Sequence, residues 1–427
     1  MNFPDTNILL LYAVLSICWV VSISWLLCQQ KSAIPVIPGS DGLISSYLVA
    51  LRFLRRSNEV IALGYNQDRN GVFRFARLFV WEYVAIGRKR VLELAAAPPD
   101  ILSVDEALAD TFQTDYTLGP GISHKAVPYR SDAGASDAKP EPLFPARFVL
   151  SGLLFHIINL LSDWKLVQIF PASVQVVART SNRLFVDLPI WRTKLGLAQR
   201  ILTVNAVAIH TTAMGLTNAL YDLTTYPKHI SPMREEAERV IAAQGWTKAA
   251  LNNMHKLDSF LRESMRLNSS TLTMRHKVVA KDGFRFSDGT TIPYGSFVNV
   301  PGTATHHDPG TYPIALEADV FDGFRLSRLR EERHGLDAGG RAGFFNRHMI
   351  STAPEHVVFG HGQHACPGRF FAATELKGML AHILINYDIK AETDLRPPEI
   401  SFAEATMPNP QGKIWIRKRE MSLDGEN

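Results

Sequence analysis

Apolar and polar positions alternate with two periods along this chain, and together they predict a mainly α protein with a small β component. The longest apolar run comes first: residues 8–28, ILLLYAVLSICWVVSISWLLC, carry no formal charge over 21 positions. As a helix such a run measures about 31 Å, enough to cross the hydrocarbon layer of a bilayer. A cleaved signal sequence would show a basic leader and a shorter apolar core, whereas only Asp5 precedes this run. The run is therefore expected to be a retained transmembrane anchor, with residues 1–7 as a short lumenal N-terminus. Lys31 and the cluster Arg52, Arg55 and Arg56 follow it, which places the rest of the chain on the cytoplasmic side. Residues 29–40 contain Pro35 and Pro38 and are expected to form a stiff, extended linker.

Residues 41–427 follow, and the length alone allows one large domain or two to three smaller ones. A short amphipathic helix is expected over 41–56, one or two strands over 72–85, and a helix near 87–96. The polar stretch 131–142, SDAGASDAKPEP, has no periodicity and reads as a loop. The apolar stretch 148–162 is short for a second span and reads as a buried helix or a surface-lying segment. A long helix is expected over 198–222, containing His210, Thr211 and Thr212. Two more follow over 229–268, broken at Gly245. Strands and tight turns fill 271–300, residues 306–356 read as irregular, and a last helix starts near 368 and runs to about 384. No internal repeat is visible.

Composition narrows the classes. The chain has 427 residues, 46% hydrophobic and 20% charged, which supports a substantial core and excludes a disordered or fibrous chain. A net charge of +4, with no run of Lys and Arg interleaved with aromatics, gives no nucleic-acid surface. Of the 3 cysteines, Cys18 and Cys28 lie in the apolar run and Cys366 stands alone, so there is no disulfide framework.

The sharpest local signal is FGHGQHACPGRF, Phe359 to Phe370. Gly360 and Gly362 permit tight turning and close approach to a flat ligand. Cys366 precedes Pro367-Gly368 and a helical run, so its sulfur lies at the positive end of that helix. Such a thiolate suits a nucleophile with His364 as base, a zinc site with His356, His361 and His364, or an axial haem ligand. The spacings fit zinc poorly and no nucleophile motif accompanies the cysteine. An inert buried cysteine leaves the glycine framing unexplained.

That segment resembles the haem-binding signature of cytochrome P450 monooxygenases, Phe-Gly-x-Gly-x-(Arg or His)-x-Cys-x-Gly, at every fixed place. The resemblance implies the cytochrome P450 fold with haem b, its iron ligated by Cys366. Phe359 would pack on the thiolate side, Gly360, Gly362 and Gly368 would shape the loop, and His364 would stand in for the usual arginine near a haem propionate. Arg275 matches another propionate-binding position. Glu263 and Arg266 are similar to the family's Glu-x-x-Arg motif, and Arg325 to the arginine that completes a buried network. On the long helix, Thr211 matches the residue that handles bound dioxygen or its water, with His210 where an acid is usual. These residues resemble fungal microsomal members of terpenoid-type secondary metabolism. The implied reaction inserts one oxygen atom from O2 into a hydrophobic small molecule. Electrons would come from an NADPH-cytochrome P450 reductase, with cytochrome b5 as a second donor. The implied location is the endoplasmic reticulum membrane, in contact with lipid.

One region departs from the family. Residues 131–198 are atypical, and the chain passes almost directly from Arg192 to the long helix. Part of the distal roof helices is therefore expected to be lacking. The alternative that follows is a truncated, catalytically defective relative that binds haem weakly or not at all.

Overall fold

The computed structural model describes residues 10–12, 14–19, 21–22, 33–39, 42–78, 80–112, 163–185, 195–311, 317–333 and 348–420. Helix α1 (Leu43–Gln67) starts where the pattern places it but runs beyond residue 56. Arg56 itself is non-helical (φ −138°, ψ 45°), so the basic pair that looks like an end is a kink. Beyond it, Val60, Ile61 and Tyr65 continue the buried stripe begun by Ala50 and Phe53. Strands β1 (Val72–Ala76) and β2 (Trp81–Ala85) pair antiparallel and are buried throughout. Helix α2 (Arg88–Ala96), β3 (Leu102–Ser103) and α3 (Val104–Phe112) follow.

The helical half comprises β4 (Lys165–Gln168), α4 (Ile169–Phe185), α5 (Leu195–Thr225), α6 (Ile230–Gln244), α7 (Lys248–Asn252) and α8 (His255–Leu267). Gly245, with φ 66°, ends α6. The two helices expected over 229–268 are three, because the Thr247 hydroxyl accepts from Ala250 N–H at 3.1 Å and caps a separate short helix. Strands β5 (Leu272–Val278), β6 (Phe284–Arg285), β7 (Thr291–Ile292) and β8 (Phe297–Pro301) lead into α9 (Gly302–His307) and α10 (Arg325–Arg333). Helix α11 (Arg369–Asn386) precedes β9 (Tyr387–Ala391), β10 (Ile400–Phe402), β11 (Ala405–Met407) and β12 (Lys413–Lys418).

Helix α10 falls in the stretch read as irregular. Its sequence is mostly charged, so its apolar stripe is thin. Its first amides, Leu326 N–H and Ser327 N–H, donate to Ser259 Oγ of α8 at 3.1 and 3.3 Å, a cap supplied from another helix.

The main sheet has the order β1-β2-β8-β5-β3, parallel only between β2 and β8. A second sheet has the order β4-β12-β9, and β6-β7 and β10-β11 are hairpins. The largest core cluster joins α4, α5, α6, α8 and α11. Within it Gly215 of α5 lies so close to α11 that an added Cβ would touch Leu376 at 3.4 Å. This is a helix-rich fold with a minor sheet component, as the periodicities imply.

Among the described residues no helix is long and apolar enough to cross a membrane. The expected anchor at 8–28 lies partly outside those residues, and the stretches 131–142 and 148–162 lie wholly outside them.

Candidate active site

The cysteine loop is built by backbone hydrogen bonds that leave the sulfur open. Cys366 N–H donates to Phe359 O at 2.7 Å, and Gly360 N–H donates to Val357 O at 3.0 Å. The Cys366 carbonyl accepts from Arg369 Nη1 at 2.7 Å. Between these anchors the chain turns through Gly360 (φ 68°) and Gly362 (φ 67°), values that an L side chain adopts only under strain. At Gly362 space forbids a side chain as well, since a Cβ would stand 2.3 Å from Ala95 O of α2. Cys366 is exposed and precedes the first turn of α11.

The three histidines near Cys366 are already engaged. His364 Nε2 lies 2.8 Å from Ala97 O, His361 Nδ1 lies 3.0 Å from Thr352 Oγ1, and His356 is buried against the His306 ring at 5.4 Å. No cluster of three or more His, Cys, Asp or Glu among the described residues is arranged for a metal, so the zinc alternative has no ligand set there.

Behind the loop, Glu263, Arg266 and Arg325 come together. Arg266 grips Glu263 through two hydrogen bonds of 2.9 Å, from Nε to Oε2 and from Nη2 to Oε1. Arg325 donates to the same Oε1 from Nη2 at 3.2 Å and from Nε at 3.3 Å. Arg266 is fully buried and Glu263 nearly so, and Arg266 Nη1 continues to the carbonyl of His306. The planar guanidinium suits this two-pronged contact in a way a lysine does not.

The structure places Arg275 differently from a free propionate ligand. Its Nη2 donates to Glu82 at 2.6 Å, Nη1 donates to Thr111 Oγ1, and the guanidinium lies 4.1 Å from the Phe297 ring centroid. Glu82 is fully buried on β2 and also takes Arg77 at 2.9 Å and Asn299. A carboxylate inside a strand gives no sequence motif, which is why this partner was missed. Next to Arg275, His276 is fully buried and packs edge-on against His364 at 4.6 Å. Burial, reinforced by His364, holds its imidazole down to about 3. A bulge between Thr273 and His276, with Met274 at φ 50°, turns the strand here.

On α5, His210 and Thr211 are both exposed, and Thr211 Oγ1 reaches the Ala208 carbonyl at 3.5 Å. The structure brings the cysteine loop, His364 and His276 together, and separately assembles the Glu263 network.

These residues fit a haem. The exposed sulfur sits in a loop whose glycines keep side chains away, and a Cβ at Gly368 would lie 3.8 Å from it. Beside the loop, the buried Arg275 Nε has no hydrogen-bond partner among the described residues, and the His276 ring bonds only the Met274 backbone of its own strand. Such polar groups match the anionic edge of the macrocycle better than an apolar ligand.

The sequence model of the cytochrome P450 family matches residues 193–416. Cytochrome P450 monooxygenase 151 of Postia placenta is 31% identical over 482 residues, covering 91% of this chain and 94% of that protein. An ent-kaurene oxidase of Fusarium fujikuroi is 37% identical over 227 residues, covering 53% of this chain and 41% of that protein. A retinoic acid-bound cyanobacterial structure, CYP120A1, superposes with a TM-score of 0.64 at 15% identity. It covers 92% of this chain and 100% of that one, a likeness of fold.

Proposed function

The chain belongs to the cytochrome P450 family of haem-thiolate monooxygenases, and from that premise we propose that it oxidises a hydrophobic terpenoid at a membrane surface. The observation that carries this reading is the exposed Cys366 sulfur, at the end of a turn closed by the Cys366 N–H to Phe359 O bond around two left-handed glycines. Haem b, when bound through that sulfur, supplies the activation of O2 and the transfer of one oxygen atom to a carbon.

The chain's own residues supply the rest. Cys366 directly precedes the start of α11, and Gly368 there leaves room beside the sulfur. The Glu263, Arg266 and Arg325 network braces the segment behind it. His364 and Arg275 would hold the carboxylate edge of a bound haem, with Glu82 fixing the Arg275 guanidinium. Thr211 and His210 hold and pass protons on the distal side, through the Thr211 hydroxyl and the His210 imidazole. The terpenoid class is supported by the fungal ent-kaurene oxidase as a relative and by an apolar N-terminal run that suits substrates dissolved in lipid. The same run supports residence in the endoplasmic reticulum membrane, with electrons from an NADPH-cytochrome P450 reductase and from cytochrome b5.

A second reading, a catalytically defective relative, is favoured by the nine residues, 186–194, that separate α4 from α5. In that reading the distal side is left uncovered and water reaches it. The two readings separate in membranes that contain the reductase, supplied with NADPH, 18O2 and ent-kaurene. A product one labelled oxygen heavier supports the monooxygenase. Reduced chain with a thiolate-type CO band, NADPH consumption as peroxide and no labelled product supports the defective form.

A further inference from the structure

We infer that His306 is a positioning residue: it is the link through which the Glu263–Arg266–Arg325 network fixes the backbone of the loop that carries Cys366. Its significance for the thiolate rests on the haem reading above. Its significance for the loop does not.

The case begins with burial. His306 lies in the last turn of α9 and has no exposed surface, yet its carbonyl and both ring nitrogens are used. The carbonyl accepts from Arg266 Nη1. The ring Nδ1 lies 2.9 Å from Ser269 Oγ, and the ring Nε2 accepts from Val357 N–H at 3.0 Å. A backbone amide has only a proton to give, so Nε2 must present its lone pair. The ring proton therefore sits on Nδ1 and is donated to Ser269. Burial first, then the charges of Arg266, His307 and Arg262, hold the imidazole down to about 3, so this neutral tautomer persists at physiological pH.

Val357 is the residue on which the loop's first turn closes. Its carbonyl accepts from Gly360 N–H at 3.0 Å, and Phe359, two residues on, accepts from Cys366 N–H at 2.7 Å. A continuous path thus runs from Arg325 through Glu263 and Arg266 to the His306 carbonyl, across its ring to Val357, and into the cysteine turn. An ordinary core histidine packs or bonds locally. This one joins two segments 51 residues apart by accepting a main-chain proton that no helix or strand would take up.

The test compares two substitutions of similar size in the full chain. The side-chain oxygen of glutamine reaches the place of Nε2, and that of asparagine the place of Nδ1. His306→Gln keeps an acceptor for Val357, and His306→Asn does not. Amide hydrogen exchange is followed by mass spectrometry on peptides spanning 357–366, with and without added haem. Exchange about tenfold faster in His306→Asn, and within about twofold of the unaltered chain in His306→Gln, is expected for loss of one buried hydrogen bond. In the haem-loaded chains the thiolate-type CO band is expected to fall in His306→Asn and to persist in His306→Gln. Equal exchange in the two variants, fast or slow, overturns the proposal. Where the unaltered chain gives a thiolate band, unequal exchange with equal thiolate-type bands in the two variants overturns the significance of His306 for the thiolate. If the unaltered chain gives no thiolate band, the haem reading fails, and the exchange comparison alone decides whether His306 fixes the loop.

Discussion

Replacing Glu263 by glutamine is the most informative single perturbation of the network behind the cysteine. The side chain keeps its size and loses its charge. Oε1 accepts from Arg266 Nη2 at 2.9 Å, from Arg325 Nη2 at 3.2 Å and Nε at 3.3 Å, and from Asp322 N–H at 3.3 Å. Oε2 accepts from Arg266 Nε at 2.9 Å. A glutamine amide turns an NH2 group toward one of these donor sets, whichever way it is flipped. Solvent offers no relief, because the Glu263 and Arg266 side chains are 4% and 0% exposed. Breaking such a buried pair leaves an uncompensated charge and costs about 3–5 kcal/mol, a large part of a typical stability of about 5–15 kcal/mol. Arg325→Lys keeps the charge, removes the fork and acts on longer bonds, so a loss nearer ~1–2 kcal/mol is expected. Urea unfolding of both single variants and the double variant, read by tryptophan fluorescence, measures the coupling. A Glu263→Gln loss below ~1 kcal/mol, or additivity within ~0.5 kcal/mol, would refute the claim that these residues act as one unit.

Two further outcomes follow from geometry and burial. Gly362→Ala meets Ala95 O at 2.3 Å and is expected to abolish haem incorporation, whereas Gly245→Ala, with the same kind of φ (66°) and nothing within 4 Å, costs only ~1 kcal/mol and keeps the haem; haem content per chain by pyridine haemochrome distinguishes them. Burial raises the Glu375 carboxyl from 4.5 to about 8, opposed only by its hydrogen bond to Ser181. The folded state then keeps a proton that the unfolded chain releases, so stability falls as pH rises between 4.5 and about 8. Glu375→Gln is expected to flatten that slope and to add up to about 3 kcal/mol at neutral pH; equal slopes in the two proteins would contradict this.

The parts of the site that were legible in the sequence are those whose chemistry is local. Gly360, Gly362 and Cys366 lie within a few residues of one another, and the backbone demands of that turn are written in the residue types. The helical spacing of Glu263 and Arg266 is local too. What was hidden depends on partners distant in sequence. Glu82 neutralises Arg275 from a strand that reads only as apolar. Ser259 caps α10 from α8, so a charged stretch with a weak stripe becomes a helix. His306 is one more histidine in the sequence until Val357 is brought to its ring. At Arg56 the sequence misleads in the other direction, because a basic pair that marks an end by composition is only a kink, and Val60, Ile61 and Tyr65 carry the helix on.

The claim on which the account turns is that Cys366 ligates haem iron through its thiolate. The direct measurement is the reduced, CO-bound absorption spectrum of the full chain in membranes, beside Cys366→Ala. The account predicts a Soret band at the thiolate position in the first and its loss in the second. A band unchanged by the substitution, or no thiolate-type band in the unaltered chain, would contradict it.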